Sequence, residues 1–152
     1  DTNGHGTSCA GIAAGSGMAL PDRRYAGVAP AAEIIGVRIG PGPALPNTYL
    51  LGAICDWIDQ VAGATPTVLS CSFGGQFGGR DGQRIQERQL DGRFPATRPG
   101  RALCIAAGNE GADLLHAEGA FAGSDSPATL TWNVPVGTTT GMLEIYFNSA
   151  QT

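Results

Sequence analysis

The segment Asp1-Thr2-Asn3-Gly4-His5-Gly6-Thr7-Ser8-Cys9-Ala10-Gly11-Ile12-Ala13-Ala14-Gly15 constrains the fold more than any other stretch of the chain. It predicts a helix over Gly6–Gly15 made almost wholly of small residues, with one histidine at its mouth. A helix so poor in bulk is useful only where something packs very close to it. Gly6 clears space beside the imidazole, and Ala10 and Gly11 let the helix sit tightly on a sheet.

The following residues alternate short apolar runs with helical stretches. Ala32–Ile39 is an apolar run bounded by breakers and reads as a strand buried on both faces. Gly40–Pro46 is a Pro/Gly loop. Asn47 is placed to cap a helix over Thr48–Gln60, in which Leu51, Ile54 and Ile58 recur at helical spacing. Val68–Phe73 reads as the next strand, closed by Gly74-Gly75, and Gln83–Arg93 as an exposed charged helix. Arg101–Ala107 reads as a third buried strand, ending at Gly108-Asn109. Strands separated by helices imply right-handed crossovers and a parallel sheet. After Ala112 the texture changes. Leu130, Trp132 and Val134 alternate with polar residues, as do Leu143, Ile145 and Phe147, which predicts a half-buried antiparallel hairpin. The expected fold class is therefore α/β, a parallel sheet with helices on both faces over residues 1–112. The beginning of an antiparallel β-sandwich is expected over 113–152.

Composition excludes several roles. The formal net charge is −4 and the nine basic residues are all arginines, scattered apart from a sparse run between Arg80 and Arg101, which argues against nucleic acid as a partner. No apolar stretch approaches the roughly 20 residues that span a bilayer. Cys9, Cys55, Cys71 and Cys104 form no Cys-x-x-Cys pair, so neither a zinc site nor a dense disulfide framework is implied. Lying among apolar neighbours, they read as buried free thiols. A thiol nucleophile at Cys9, one turn from His5, is the competing reading. No initiator methionine or signal-like segment opens the chain, which is expected to be an internal piece of a longer protein.

Two residues stand where chemistry is expected. Imidazole titrates near neutrality and suits His5 to general-base work. Asn109 directly follows a strand, at the carboxyl end of a parallel sheet, where such folds place their ligands. Its carboxamide is able to donate a hydrogen bond to a developing oxyanion. Taken singly, each has a structural explanation: a satisfied surface histidine, and an asparagine tolerating a left-handed turn.

Together, the pattern His-Gly-Thr-x-x-Ala-Gly at His5–Gly11 and Ala106-Ala107-Gly108-Asn109 resemble the motifs of the subtilisin-like serine proteases, the subtilases of peptidase family S8. Gly27-Val28-Ala29-Pro30 matches a further family segment with a structural role. The resemblance covers about residues 1–111. It implies a subtilisin-like sheet and serine endopeptidase activity, with His5 as general base and Asn109 as oxyanion donor. Ser72, Phe73 and Gly74 are implied to pair with an extended peptide substrate, and Ala106, Ala107 and Gly108 to form the opposite wall of the cleft. No cofactor is implied for the chemistry. Structural calcium is frequent in the family, yet the acidic residues show no ligand-spaced cluster. The partner implied is a polypeptide substrate, with no nucleic acid and no membrane span. Family habit favours a secreted or extracytoplasmic location. The strand-rich tail after Gly108-Asn109-Glu110-Gly111 looks similar to the start of the jelly roll inserted in the clostridial spore-germination branch. Glu110 and His116 are read as surface groups without a role.

The departures are equally informative. The family's catalytic aspartate lies tens of residues before its histidine, and Asp1 matches a different aspartate. The nucleophile motif Gly-Thr-Ser-Met-Ala-x-Pro is absent; Ser16 and Ser124 follow glycines without that context. This stretch alone is expected to be inactive. The alternative is a pseudoprotease, a subtilase-shaped binding or regulatory module. Nucleotide binding is disfavoured: Gly15-Ser16-Gly17 ends a helix, and the Gly74–Gly79 loop lacks a phosphate-binding lysine.

Overall fold

A computed structural model describes residues 3–40, 50–119 and 129–146. Its elements are α1 (His5–Ala14), α2 (Leu51–Ala62), β1 (Thr67–Cys71), α3 (Ile85–Arg93) and β2 (Arg101–Ile105). β1 and β2 pair in parallel, with Thr67 opposite Arg101 and Cys71 opposite Ile105. The Ala106 N–H extends this ladder by donating to the Cys71 carbonyl at 3.0 Å. Two parallel strands with flanking helices are thus present, in the predicted order. Asn47, most of the Gly40–Pro46 loop, Ser124 and Phe147 lie outside the described residues.

The small residues of α1 admit another backbone at close range. Gly27 N–H donates to the Gly15 carbonyl at 2.8 Å, Val28 N–H to Ile12 at 3.0 Å and Ala29 N–H to Ala13 at 2.8 Å. A Cβ on Gly27 would lie 2.6 Å from Gly15 N, 2.7 Å from Gly11 O and 2.8 Å from Ala14 N. All three are backbone atoms that no rotamer change moves aside. Gly27→Ala is expected to force the strap off the helix and cost about 1–3 kcal/mol, the usual penalty of overpacking. The urea-unfolding midpoint of the protein measures it.

α2 carries its apolar face inward, with Gly52, Cys55 and Ile58 buried. Gly52 lies beneath the Gln89 and Arg93 side chains of α3, where a Cβ would meet Gln89 Oε1 at 2.9 Å. α3 is capped by the Glu87 carboxylate, which accepts the Arg84 N–H at 2.9 Å. Arg93 Nε and Nη2 grip the two Asp56 oxygens at 2.8 and 2.7 Å, a bidentate pair that ties α3 to α2. One turn on, Asp59 receives Arg101 Nε at 2.7 Å and Arg98 Nη2 at 2.9 Å. Arg93, Arg98 and Arg101 therefore serve as ties onto α2.

Arg101 is the most enclosed of these cations, its side chain only 7% exposed. It also donates to the carbonyls of Gly63 and Thr65. Arg101→Met would leave those carbonyls and one Asp59 oxygen short of a donor. The expected loss is about 2–3 kcal/mol, below the full cost of a broken buried pair because Arg98 still faces Asp59. The Arg101 and Arg98 hydrogen bonds hold the Asp59 carboxyl below its ordinary 3.8. A depressed carboxylate stabilises the fold above its unfolded pKa and loses that contribution as pH falls through its folded pKa. In denaturant titrations below pH 4 the parent should therefore lose more stability than Arg101→Met, and the two should converge.

Several expectations are corrected. Ala32–Ile39 forms no strand. Gly36, Val37 and Arg38 instead line an open groove of about 420 Å³ with Leu50, Ala53, Ile54 and Trp57. Residues 129–146 form no strand either, and Leu130, Trp132, Val134, Leu143 and Ile145 stay exposed. An isolated hairpin is marginal without a third strand or a covering face, and none is supplied among the described residues. The predicted burial of the strands is met on neither sheet face. Thr67, Leu69 and Cys71 are half-buried on the side from which Arg101 reaches α2, where Ile105 is exposed, and Val68 and Cys104 on the other side are exposed. Cys104 is consequently no buried thiol. Burial does push the Cys55 and Cys71 thiols up, and all four cysteines are free.

Candidate active site

His5 opens α1 and is solvent-exposed. Its Nε2 lies 3.0 Å from the carbonyl oxygen of Ser72, the residue directly after β1. A carbonyl only accepts, so Nε2 carries the proton in this contact and the neutral ring's lone pair is on Nδ1. Cys9 Sγ approaches the same nitrogen at 3.7 Å, one turn along α1. The Ser8 hydroxyl and N–H both return to the Gly4 carbonyl, at 2.9 and 3.0 Å, which secures the first turn beneath the ring. The imidazole is thereby fixed at the carboxyl end of the parallel pair.

Asn109 emerges at the same end, four residues beyond β2, and is exposed. Ser72-Phe73-Gly74 and Ala106-Ala107-Gly108 leave adjacent strands side by side, since the Ala106 N–H is still bonded to Cys71. Phe73 and Ser72 are half-buried, while Gly74, Ala106, Ala107 and Gly108 are exposed. All eight residues singled out in the sequence thus belong to one end of the β1–β2 pair.

A contact that the sequence reading missed joins the two segments beyond the strands. Glu110 Oε2 accepts the Gln76 side-chain N–H at 2.7 Å and the Asn109 backbone N–H at 2.8 Å. Arg80 Nη2 donates to the other end of the Gln76 amide at 2.8 Å. The Asn109 N–H and then Gln76 hold the Glu110 carboxyl below the ordinary glutamate range. The only hint in the sequence was an acid directly after the asparagine. His116 is exposed. Among the described residues, no three His, Cys, Asp or Glu side chains converge to hold a metal ion, and no helix is long and apolar enough to cross a membrane.

With this geometry in view, comparison with known proteins defines the class. The model of the subtilase family, Peptidase_S8, matches residues 1–150, and the chain belongs to that family. Among individual proteins it is similar to serine protease AprX of Bacillus subtilis (strain 168), 35% identical over 127 residues, 74% of this chain and 26% of that protein. It is also similar to alkaline serine exoprotease A of Vibrio alginolyticus, 33% identical over 141 residues, 92% of this chain and 22% of that protein. The chain therefore spans about a quarter of the length of these relatives. No solved structure matches at the same significance.

Proposed function

We propose that the chain is the central section of a serine endopeptidase, carrying the general base and one oxyanion donor of a Ser-His-Asp mechanism. The observation that supports this most is the anchoring of His5 to Ser72 at the sheet end from which the Asn109 turn emerges. Other segments of the full-length protein would supply the aspartate and the nucleophilic serine.

In the proposed reaction, the serine hydroxyl attacks the scissile carbonyl carbon as His5 takes its proton. The electron pair displaced onto the carbonyl oxygen is stabilised by the Asn109 carboxamide. Collapse expels the amine, which receives the proton from His5. Water then repeats the sequence on the acyl-enzyme and releases the acid. The resting ring orientation bears on the first step, because Nε2 is committed to Ser72. A half-turn about Cβ–Cγ exchanges Nε2 with Cε1. It presents Cε1–H to the Ser72 carbonyl, and the Nε2 proton must then be given to water while Nδ1 takes one up, which leaves the Nε2 lone pair for the serine. An aspartate accepting from Nδ1–H would hold that tautomer.

Ser72-Phe73-Gly74 would align the substrate by strand addition, with Ala106-Ala107-Gly108 as the facing wall. Residues 113–152 would begin an inserted β-sandwich whose alternating segments pair only once further strands cover them. Residues 1–112 would form part of the catalytic domain, and family habit favours a location outside the cytoplasm for the whole protein. Cleavage of an unstructured polypeptide such as casein by the full-length protein tests the reading. Binding without cleavage would establish the pseudoprotease instead.

A further inference from the structure

We propose that Gln76 is a positioning residue for the Asn109 turn, acting through the Glu110 carboxylate to clasp the two loops that follow β1 and β2. The inference rests on the proposed oxyanion role of Asn109. The arrangement is a continuous chain of donors and acceptors. Arg80 Nη2 donates to Gln76 Oε1 at 2.8 Å, and Gln76 Nε2 donates to Glu110 Oε2 at 2.7 Å. The same oxygen accepts the Asn109 N–H at 2.8 Å. A cation and an anion are thus joined through one primary amide, and each hydrogen bond polarises the next.

A second, independent observation lies in the backbone. Gly108 has φ +102°, a region that L side chains rarely adopt, and a Cβ there would sit 2.7 Å from Glu110 Oε2 and 2.9 Å from Gln76 Nε2. The clasp fills the space that the missing side chain leaves. Gln76 reaches across from the opposite loop, 34 residues away in sequence. Without it the Glu110 carboxylate would keep only backbone N–H donors of its own turn, and the turn that aims Asn109 would lose its tie to the facing wall. An oxyanion donor acts on the transition state, so its misplacement lowers kcat and leaves KM nearly unchanged.

The test uses the full-length protein in four forms: parent, Gln76→Leu, Asn109→Ala and the double variant. Gln76→Leu is expected to lower kcat about tenfold with KM within about twofold, the scale of a displaced rather than deleted donor. On the Asn109→Ala background the same change should cost less than twofold, because no aimed carboxamide remains to misplace. An equal loss on both backgrounds, or a rise in KM with kcat unchanged, overturns the proposal. A second measurement needs neither activity nor a variant. The Gln76 side-chain amide proton resonance of the parent should titrate with Glu110, with a midpoint below the ordinary 4.5. A resonance that ignores that titration overturns the clasp. Absence of peptidase activity in the parent would defeat the proposed function, and the resonance would still decide the clasp.

Discussion

Replacing His5 by alanine in the full-length protein should lower kcat by about 10⁶-fold, a scale taken from a subtilisin in which the triad histidine was removed. The size follows from the work assigned to one ring. In the proposed mechanism it strips the serine proton in the attacking step and returns a proton to the departing amine. Cys9 is near the ring but shares the contact at Nε2 and leads away along α1. Substrate affinity should change little, because the imidazole contacts Ser72 through that residue's carbonyl and His5 bears no substrate-binding wall. The predicted signature is a collapse of kcat with KM near the parent value in steady-state peptidolysis. A Cys9→Ser variant that lost activity to the same extent would instead favour the thiol as nucleophile.

Asn109→Ala carries the second large effect, a fall of about 10²–10³ in kcat, again a figure measured on a subtilisin. A neutral donor becomes most valuable when the carbonyl oxygen acquires its charge, so the loss belongs to the transition state. Asn109→Asp sharpens the test. It keeps the shape of the side chain and replaces its N–H donor by a second acceptor, ionised at neutral pH. It should be slower than Asn109→Ala, because an anion facing an oxyanion repels it. Asn109 itself does not lie in the left-handed region, so an asparagine that served only the turn would leave Asn109→Ala and Asn109→Asp at similar rates. Initial rates on one fluorogenic peptide at fixed pH separate the two roles.

Much of the framework was legible because local chemistry and tertiary need coincide there. The small residues of α1 announce a close backbone neighbour, and Gly27-Val28-Ala29 supplies it through three hydrogen bonds. Val68–Phe73 and Arg101–Ala107 read as strands, and the strands that form, Thr67–Cys71 and Arg101–Ile105, pair in parallel; Gln83–Arg93 reads as an exposed charged helix, and a helix forms over Ile85–Arg93. Ala32–Ile39 and the alternating segments at 129–134 and 142–146 failed for one shared reason. Periodicity reports which side chains seek burial, whereas a ladder also requires a partner strand at hydrogen-bonding distance. None of these runs has such a partner among the described residues.

The long-range polar ties were invisible for a different reason. Arg101 meets Asp59 across 42 positions and Gln76 meets Glu110 across 34, separations that leave no periodic trace. Arginine in an apolar strand opening gave no sign that its head would lie inward over the end of α2. Glu110 read as a surface acid because its partner comes from the loop beyond a different strand. The positions His5 and Asn109 were found by motif, but the contact that holds the ring, the Ser72 carbonyl, is a backbone group that any residue would provide.

Labelling with a fluorophosphonate tests the central claim most directly, since the probe reacts only with a serine whose proton is taken by a positioned base. The full-length protein should acquire one adduct on a serine outside this chain and lose its peptidase activity in step, and His5→Ala should acquire none. A full-length protein with an intact nucleophile motif that remains unlabelled, or one labelled equally well without His5, would contradict the account.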